Sequence, residues 1–324
     1  MPAPRTSIGR QLARINMRAV PSLFLDAGEK ASWRFIEFFT ANIRNRNTRE
    51  AYARAVNRFC RWCEKRNLSL AEIKPFFVAA YVEKLGTTHS RPSVKQHLAA
   101  LRMLFDYLVT GQVMSMNPAS SVRGPKHVVR KGKTPVLSAE EARELLDSID
   151  VGTVAGLRDR ALIAVMVYSF ARVGAVVAMN VEDYFRQRKR WWFRLHEKGG
   201  KLHDVPAHHQ AMEYVDAYLK GAGFHGEATT PLFRTLDRWG KLGRARLGRR
   251  PALAIVKRRA KAAGLPSSIC CHTFRATGIT AYLLNGGTLE NAQMLAAHSS
   301  PSTTKLYDRT GDQVSLDEIE KIVI

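Results

Sequence analysis

A stretch without apolar periodicity divides this chain between residues 117 and 137. It contains three prolines, two glycines and several basic side chains, a composition typical of an extended linker. The chain has 324 residues, which is enough for a separate hydrophobic core on each side of such a linker. We therefore predict two domains joined by residues 117–137.

The region before the linker shows helical periodicity throughout. Four apolar-periodic runs between Ser32 and Met116 predict four helices, and we expect one helical domain over residues 25–116. Thr48 is the predicted N-cap of the second helix. Residues 1–24 contain four arginines and no acidic side chain, so we predict a basic leader there.

The charge of the chain favours a polyanionic partner. Lys and Arg number 51 against 28 Asp and Glu, and residues 1–130 hold 22 basic and 8 acidic side chains, a net charge of +14. No apolar run approaches the roughly 20 residues that span a bilayer, so nucleic acid is a better partner than a membrane. In this region we predict phosphate contacts from Arg44, Arg46, Arg49 and Lys95.

The region after the linker predicts a mixed α+β domain over residues 138–312. Ser138 and Glu141 have the spacing of a capping box, and the apolar run 157–170 predicts a long buried helix just before Arg172. Two strand-like runs, 191–195 and 202–205, flank a glycine-containing turn. That turn leaves either Lys198 or Lys201 free to reach outward.

A basic segment from Lys241 to Lys261 carries nine Lys and Arg and no acidic residue. Its second half, 251–263, predicts a helix whose apolar face is too small for firm membrane insertion. A helix in the major groove of DNA is the better interpretation. The predicted contacts to phosphates or bases are Arg249, Arg250, Lys257 and Arg258.

Four side chains suited to phosphoryl transfer lie close together near the carboxyl end: His272, Arg275, His298 and Tyr307. His272 and Arg275 are three residues apart, so they project from the same face of a predicted helix that Gly286 and Gly287 close. A second helix ends just before His298, and a third, with Ser300 as N-cap, contains Tyr307. Each residue alone is more often structural, but the combination indicates an active site.

The pattern HxxR, then LxxH, then a Ser/Thr-rich segment ending in tyrosine resembles the tyrosine recombinase family, which includes phage integrases and Xer-type enzymes. Arg172 after an apolar helix and Lys198 in a hairpin turn complete the family's set in its order. The resemblance covers most of the chain. It implies a mainly α fold with a small β-sheet in the C-terminal domain, arranged as a clamp of a helical core-binding domain and an α+β catalytic domain.

The resemblance also implies roles for the six residues. Tyr307 attacks a DNA phosphate and forms a 3′-phosphotyrosyl link, while Arg172 and Arg275 contact the phosphate oxygens. Lys198 is the implied general acid, with Lys201 as the alternative. His272 shares the tyrosine proton, and His298 hydrogen-bonds the phosphate.

Partners and cofactors follow from the same resemblance. It implies a homo-tetramer on two copies of a specific double-stranded DNA site, with a Holliday junction between them and no metal, ATP or other cofactor. The expected location is the bacterial cytoplasm, at the nucleoid, and the expected role is integration, excision or resolution of a mobile element. An amphipathic tail helix at 313–324 is predicted to pack against a neighbouring protomer. The resemblance does not say whether an accessory protein takes part.

Two departures from the family pattern bear on the site. Ala175 stands where the family usually has an acidic residue, and Ala297 stands where it usually has glycine, which we expect to be a mild change. Two alternative functions are a type IB topoisomerase and a DNA-binding regulator that has lost activity. Cys60 and Cys63 form a CxxC without a second pair at zinc-finger spacing, so we expect reduced thiols and no structural metal.

Overall fold

The computed structural model describes residues 20–127, 132–197, 199–223 and 227–308. The chain divides into two compact units, Met1–Val128 and Val129–Ile324. Most of the predicted leader, Lys198 and the predicted tail helix at 313–324 lie outside the described residues. No helix in the described ranges is long and apolar enough to cross a membrane.

The first unit is helical. A π-helical turn, Phe38–Asn42, and a short 3₁₀ turn, Leu70–Glu72, interrupt its α-helices. The α-helices are α1 (Ser22–Leu25), α2 (Glu29–Glu37), α3 (Arg46–Glu64), α4 (Pro75–Gly86) and α5 (Arg91–Thr110). The four predicted helices correspond to α2 through α5.

The N-cap of α3 is Asn45 rather than the predicted Thr48. Asn45 has extended backbone angles, and its side-chain oxygen accepts a hydrogen bond from the Thr48 N–H at 3.1 Å. Both residue types cap helices well. The prediction was wrong because Asn45, not Thr48, is the last residue with non-helical angles.

The core of the first unit extends beyond the predicted domain limits. Val20 and Leu23 are buried in it, so the helical unit begins before residue 25. At the other end, Ala119 and Val122 are buried in the same core, and their carbonyl groups accept hydrogen bonds from Arg102. The first residues of the predicted linker therefore pack against α5.

The second unit combines helices with two antiparallel sheets, one ordered β1-β2-β3 and the other β4-β5. Its helices are α6 (Ala139–Asp147), α7 (Val154–Tyr168), α8 (Val173–Val176), α9 (His209–Ala222), α10 (Arg249–Ala262), α11 (Cys271–Leu284), α12 (Leu289–Leu295) and α13 (Pro301–Lys305). Its strands are β1 (Tyr184–Gln187), β2 (Arg190–His196), β3 (Leu202–Pro206), β4 (Arg234–Leu236) and β5 (Leu242–Arg246). The predicted strands correspond to β2 and β3. The strands β1, β4 and β5 were not predicted.

Helix α7 lies at the centre of the second unit. Its residues from Ala161 to Met166 are fully buried, as expected for a helical segment that is apolar all round. Its one buried carboxylate, Asp159, binds the guanidinium groups of Arg158, Arg258 and Arg259 at 2.7 to 2.9 Å. Three cations around one carboxylate satisfy its charge and tie α10 to α7.

A separate apolar cluster surrounds Tyr307 and joins α11, α12 and the residues after α7. Its buried members are Phe170, Ala276, Ile279, Leu283, Ala292, Ala296 and Tyr307. Gly278 lets α11 approach the end of α7, because a Cβ there would overlap the carbonyl oxygen of Val167 and lie 2.9 Å from the Phe170 ring. This close packing positions the candidate site.

Candidate active site

Arg275 forms the floor of the site. It lies on α11 with only 1% of its surface exposed, and its two terminal nitrogens donate to the carbonyl oxygens of Phe170 and Ala296. Its Nε is buried and makes no hydrogen bond to the described residues, and no described carboxylate forms an ion pair with it. Burial, and secondly the charge of Arg172, lower the pKa of Arg275 to about 10. A buried cation without a carboxylate partner is stabilised by any anion that reaches it.

Two residues with a left-handed backbone conformation orient the carbonyl groups that bind Arg275. Phe170 has φ 54° and Ala297, directly after Ala296, has φ 47°. A non-glycine residue in this region costs about 1–2 kcal/mol. The left-handed conformation favours glycine at position 297, and the mild effect of alanine there stays a prediction.

Tyr307 points into this pocket of its own chain. It lies just past the end of α13 rather than within it, and only 7% of its surface is exposed. Its hydroxyl is 2.7 Å from Nε2 of His272, and its carbonyl oxygen accepts a hydrogen bond from the Thr280 hydroxyl at 2.9 Å. Burial raises the pKa of the phenol, and the charges of Arg275 and Arg172 oppose that rise.

His272 is neutral at neutral pH. Burial is the main cause that lowers its pKa, and the charges of Arg275 and Arg172 add to it. A neutral imidazole has one nitrogen free to accept. The Tyr307 hydroxyl can therefore donate its proton to Nε2 of His272, which is the geometry of a nucleophile beside its base.

His298 follows α12 and lies against the other side of the tyrosine. Its ring is nearly parallel to the Tyr307 ring, with centroids 5.8 Å apart. Its Nδ1 is 2.9 Å from the hydroxyl of the fully buried Thr304. Burial, and then Arg275, Arg172 and His272, lower the pKa of His298 to about 4, so this ring is also neutral.

Arg172 forms the open side of the site. It is the N-cap residue of α8, and 41% of its side chain is exposed. Its Nη1 donates to Oε2 of Glu197 at 2.7 Å, and only 7% of the Glu197 side chain is exposed. Ala175 is buried in the core of the unit, so position 175 supplies no carboxylate to Arg172.

The turn between β2 and β3 carries both candidate lysines. Lys198 lies outside the described residues, and Lys201 is exposed. The Glu197 N–H donates to the Lys201 carbonyl oxygen at 2.8 Å and closes the turn. Gly199 and Gly200 both have φ near +80°, a conformation that glycine adopts without strain.

The residues predicted to contact DNA lie at the surface but differ in the bonds that their side chains make within the protein. Arg44, Lys95, Arg249 and Arg250 are exposed, and Arg46 pairs with Glu50 on the surface. Arg49 donates to the Ile43 carbonyl oxygen, Lys257 to that of Ser267, and Arg258 to Asp159. Exposure and bonds within the protein do not decide between these residues, and DNA contact for all eight stays a prediction.

The cysteines show no sign of a metal site. Cys60 and Cys63 are free and buried in the core of the first unit, and burial raises the pKa of both thiols. Among the described residues, no group of three or more His, Cys, Asp or Glu could hold a metal ion.

Three residues of the site were not predicted. Glu197 immediately precedes the turn lysine, Thr304 lies within the Ser/Thr-rich segment, and Thr280 lies one and a half turns after Arg275 on α11. The available signals for these three residues were a polar side chain and a position near a predicted site residue. Their partners are distant in sequence or on another element, so the signals were not decisive.

A model of the phage integrase family matches residues 135–313, and a model of the phage integrase N-terminal SAM-like domain matches residues 34–112. The chain belongs to the phage integrase family. The resemblance to tyrosine recombinases is therefore confirmed.

Curated relatives are Xer-type tyrosine recombinases. The chain is 30% identical over 280 residues to tyrosine recombinase XerC of Pelobacter propionicus, covering 85% of this chain and 87% of the relative. It is 30% identical over 227 residues to XerC of Chlamydia muridarum, covering 70% of this chain and 69% of the relative.

Solved tyrosine recombinases share the fold. A post-cleavage complex of the XerH site-specific recombinase with a palindromic difH substrate has a TM-score of 0.68 at 20% identity, covering 85% of this chain and 79% of that chain. A lambda integrase dimer bound to a COC′ core site has a TM-score of 0.66 at 19% identity, and the match covers 94% of this chain and 83% of that chain. The predicted fold, mainly α with small β-sheets and two domains, is confirmed.

Proposed function

We propose that this tyrosine recombinase cuts and rejoins DNA at a specific site through a 3′-phosphotyrosyl intermediate formed by Tyr307. One observation carries the proposal: the Tyr307 hydroxyl lies 2.7 Å from a neutral His272, beside the buried cation Arg275, which has no carboxylate partner among the described residues. A nucleophile, its base and an anion-binding group thus meet in one pocket.

Cleavage begins with attack of the Tyr307 oxygen on the scissile phosphorus. The phenolic proton passes to Nε2 of His272, which is free to accept it. The bond between phosphorus and the 5′ oxygen breaks as the bond to tyrosine forms. The phosphodiester energy is kept in the phosphotyrosyl link, so the reverse reaction rejoins the strand.

The arginines neutralise the charge that develops on the non-bridging oxygens. Arg275 has a buried Nε that makes no hydrogen bond to the described residues, and Arg172 uses Nη1 for Glu197 and keeps its other nitrogens for phosphate. Planar guanidinium groups suit the paired oxygens of a phosphate. When Thr304 donates to Nδ1 of His298, the proton on Nε2 is available to a phosphate oxygen as well.

The departing 5′ oxygen needs a proton. We assign this role to Lys198, with Lys201 as the alternative, because the β2–β3 turn that carries them is joined to Arg172 through Glu197. An amine whose charge is already present at neutral pH can donate without a metal ion.

We further propose that four protomers act on two duplexes through a Holliday junction, in integration, excision or resolution of a mobile element. Residues 25–116 would grip one side of the duplex, residues 138–312 would hold the catalytic site, and residues 117–137 would connect them. The predicted tail helix at 313–324 would dock on a neighbouring protomer. The net charge of +23 supports contact with DNA along both units.

Type IB-like relaxation and a purely regulatory role are less well supported. The curated relatives are recombinases, and the pocket places His272, Arg275, His298 and Tyr307 together. A regulator would have no need of a phenol that shares its proton with a buried imidazole.

The test is a trap for the covalent intermediate. Nicked duplexes from the regions that flank the gene lose a short fragment on cleavage, which prevents religation and leaves protein on the 3′ end. The parent protein is expected to form this complex on one duplex, and Tyr307→Phe is expected to form none because it lacks the nucleophile.

The matched control is Tyr282→Phe, which removes a hydroxyl from a tyrosine that packs against Phe170 in the same cluster. It is expected to keep the activity. A covalent complex with Tyr307→Phe, or none with the parent on any flanking duplex, would contradict the proposal. Strand exchange between two sites on one plasmid then separates recombination from relaxation alone.

A further inference from the structure

Glu197 makes a buried contact that the chemistry above does not assign. Its carboxylate accepts a hydrogen bond from Nη1 of Arg172 at 2.7 Å, and only 7% of its side chain is exposed, against 41% for Arg172. A carboxylate is seldom buried to this degree unless it is paired. The buried carboxylate of Glu197 therefore needs Arg172 as its partner, whereas ion pairs between two solvent-exposed side chains contribute little.

The backbone of Glu197 is held by the hairpin. The preceding residue, His196, pairs with Leu202 at the end of the β2–β3 ladder, and the Glu197 N–H donates to the Lys201 carbonyl oxygen. The backbone position of Glu197 is thus set by the hairpin, independently of Arg172. Arg172 itself lies between α7 and α8, on a different part of the unit.

Arg172 has no other carboxylate partner among the described residues. Position 175, three residues later, is a buried alanine. An arginine side chain with four rotatable bonds and a large exposed fraction loses substantial rotamer freedom when it is fixed for catalysis. One N–H held by Glu197 restricts the position of the guanidinium before DNA arrives and leaves its other nitrogens for the phosphate.

The charge of Glu197 also acts on the neighbouring cation. It raises the pKa of Arg275, whereas Arg172 lowers it. Two adjacent arginines repel each other in the absence of DNA, and a carboxylate beside them offsets that repulsion.

We propose that Glu197 is a positioning residue that orients Arg172 toward the scissile phosphate, in place of a carboxylate at position 175. The inference rests on the proposed function, because it concerns the same phosphate. Glu197 does not touch the DNA; it acts through Arg172.

The test compares Glu197→Gln, which removes the charge, with Glu197→Asp, which keeps it on a shorter side chain. The readouts are the single-turnover rate of covalent complex formation and, separately, the affinity for the same duplex. Glu197→Gln is expected to slow cleavage about 10-fold to 100-fold while affinity changes little, because a misplaced group lowers the rate of the chemical step. Glu197→Asp is expected to recover part of the rate.

The matched control is Asp204→Asn. Asp204 forms a two-hydrogen-bond ion pair with Arg194 on the same two strands, at 2.9 and 3.0 Å, but on the exposed surface. The Asp204→Asn protein is expected to cleave DNA at the rate of the parent. A loss equal to that of Glu197→Gln would mean that any damage to the hairpin lowers the rate, which would overturn the proposal.

A second substrate separates orientation of Arg172 from a general structural role. In a methylphosphonate at the scissile position, a methyl group replaces one non-bridging oxygen, so the group carries no negative charge for an arginine to neutralise. The deficit of Glu197→Gln relative to the parent is expected to shrink on this substrate, as is the deficit of Arg172→Ala. Tyr307→Phe stays inactive on both substrates.

Two results would overturn the inference: a Glu197→Gln rate equal to or above that of the parent, or a deficit of the same size on the methylphosphonate. Absence of any covalent complex with the parent protein would instead contradict the proposed function. The two failures are therefore distinguishable.

Discussion

At the scale of single residues, burial decides the protonation states in the pocket. The same desolvation lowers the pKa of His272 and raises the pKa of Tyr307, so the imidazole is free and the phenol keeps its proton. Arg275 and Arg172 act against the second effect by favouring the phenolate. The pocket therefore holds the nucleophile neutral at rest and stabilises its anion once the proton has moved to His272.

The pH dependence of cleavage follows from His272. Its pKa lies below the ordinary 6.5, so it still accepts the tyrosine proton at pH 6.5 and loses this capacity only as pH falls through the lowered value. The single-turnover cleavage rate, measured from about pH 8 to about pH 5 at constant ionic strength, is expected to fall to half of its plateau only below pH 6.5. A His272→Gln protein is expected to be slower and to lack this decline. A parent rate that is already halved above pH 6.5 would contradict the assignment of His272 as the base.

At the scale of elements, the contact between α11 and the end of α7 sets the geometry of the cation. Gly278 leaves room for the Val167 carbonyl group and the Phe170 ring, and the Phe170 carbonyl oxygen in turn holds Arg275. Helix packing and the orientation of a catalytic side chain are thus parts of one arrangement.

Gly278→Ala is expected to lower the free energy of unfolding by about 1–3 kcal/mol, since backbone and ring must move to admit a methyl group. Cleavage should slow as well, because the shift reaches Phe170. Gly86→Ala is the control: a Cβ at the end of α4 meets no atom within 4 Å, and it should leave stability unchanged or slightly higher. Urea denaturation of the three proteins checks both expectations, and equal stabilities of parent and Gly278→Ala would show that α11 and α7 are not in close contact.

At the scale of the whole molecule, positive charge is spread over both units. Residues 1–130 carry a net charge of +14 out of +23 for the chain, while the catalytic pocket lies in the second unit. Affinity for DNA is therefore expected to come largely from surfaces that do no chemistry.

Salt dependence measures this contribution. If about 6–10 phosphates are contacted, affinity for duplex DNA should fall about 10³-fold to 10⁵-fold between about 50 and about 200 mM salt. Arg44→Ala should reduce the slope of log affinity against log salt by about one, because Arg44 is exposed and predicted to contact a phosphate. Lys220→Ala, an exposed cation at the end of α9 with no predicted DNA contact, is the control. Equal slopes for parent and Arg44→Ala would remove Arg44 from the DNA-binding surface.

The sequence by itself determined the features that depend on neighbours a few residues apart. Apolar periodicity located most of the longer helices, though not α9, the spacing of Ser138 and Glu141 marked a capping box that the structure contains, and Ser300 proved to be an N-cap. The order of Arg172, Lys198, His272, Arg275, His298 and Tyr307 was enough to suggest the family. The helix and capping signals survive because i to i+4 contacts form in any context in which the helix forms.

Only the tertiary structure decided how those residues are held. Glu197 binds Arg172 across 25 residues of sequence, and Phe170 binds Arg275 across 105. Asp159 engages Arg258 across 99 residues and gives a predicted DNA contact a structural partner. Such pairs depend on which helix packs against which strand, and that choice is made by the shape of the whole core rather than by any local pattern.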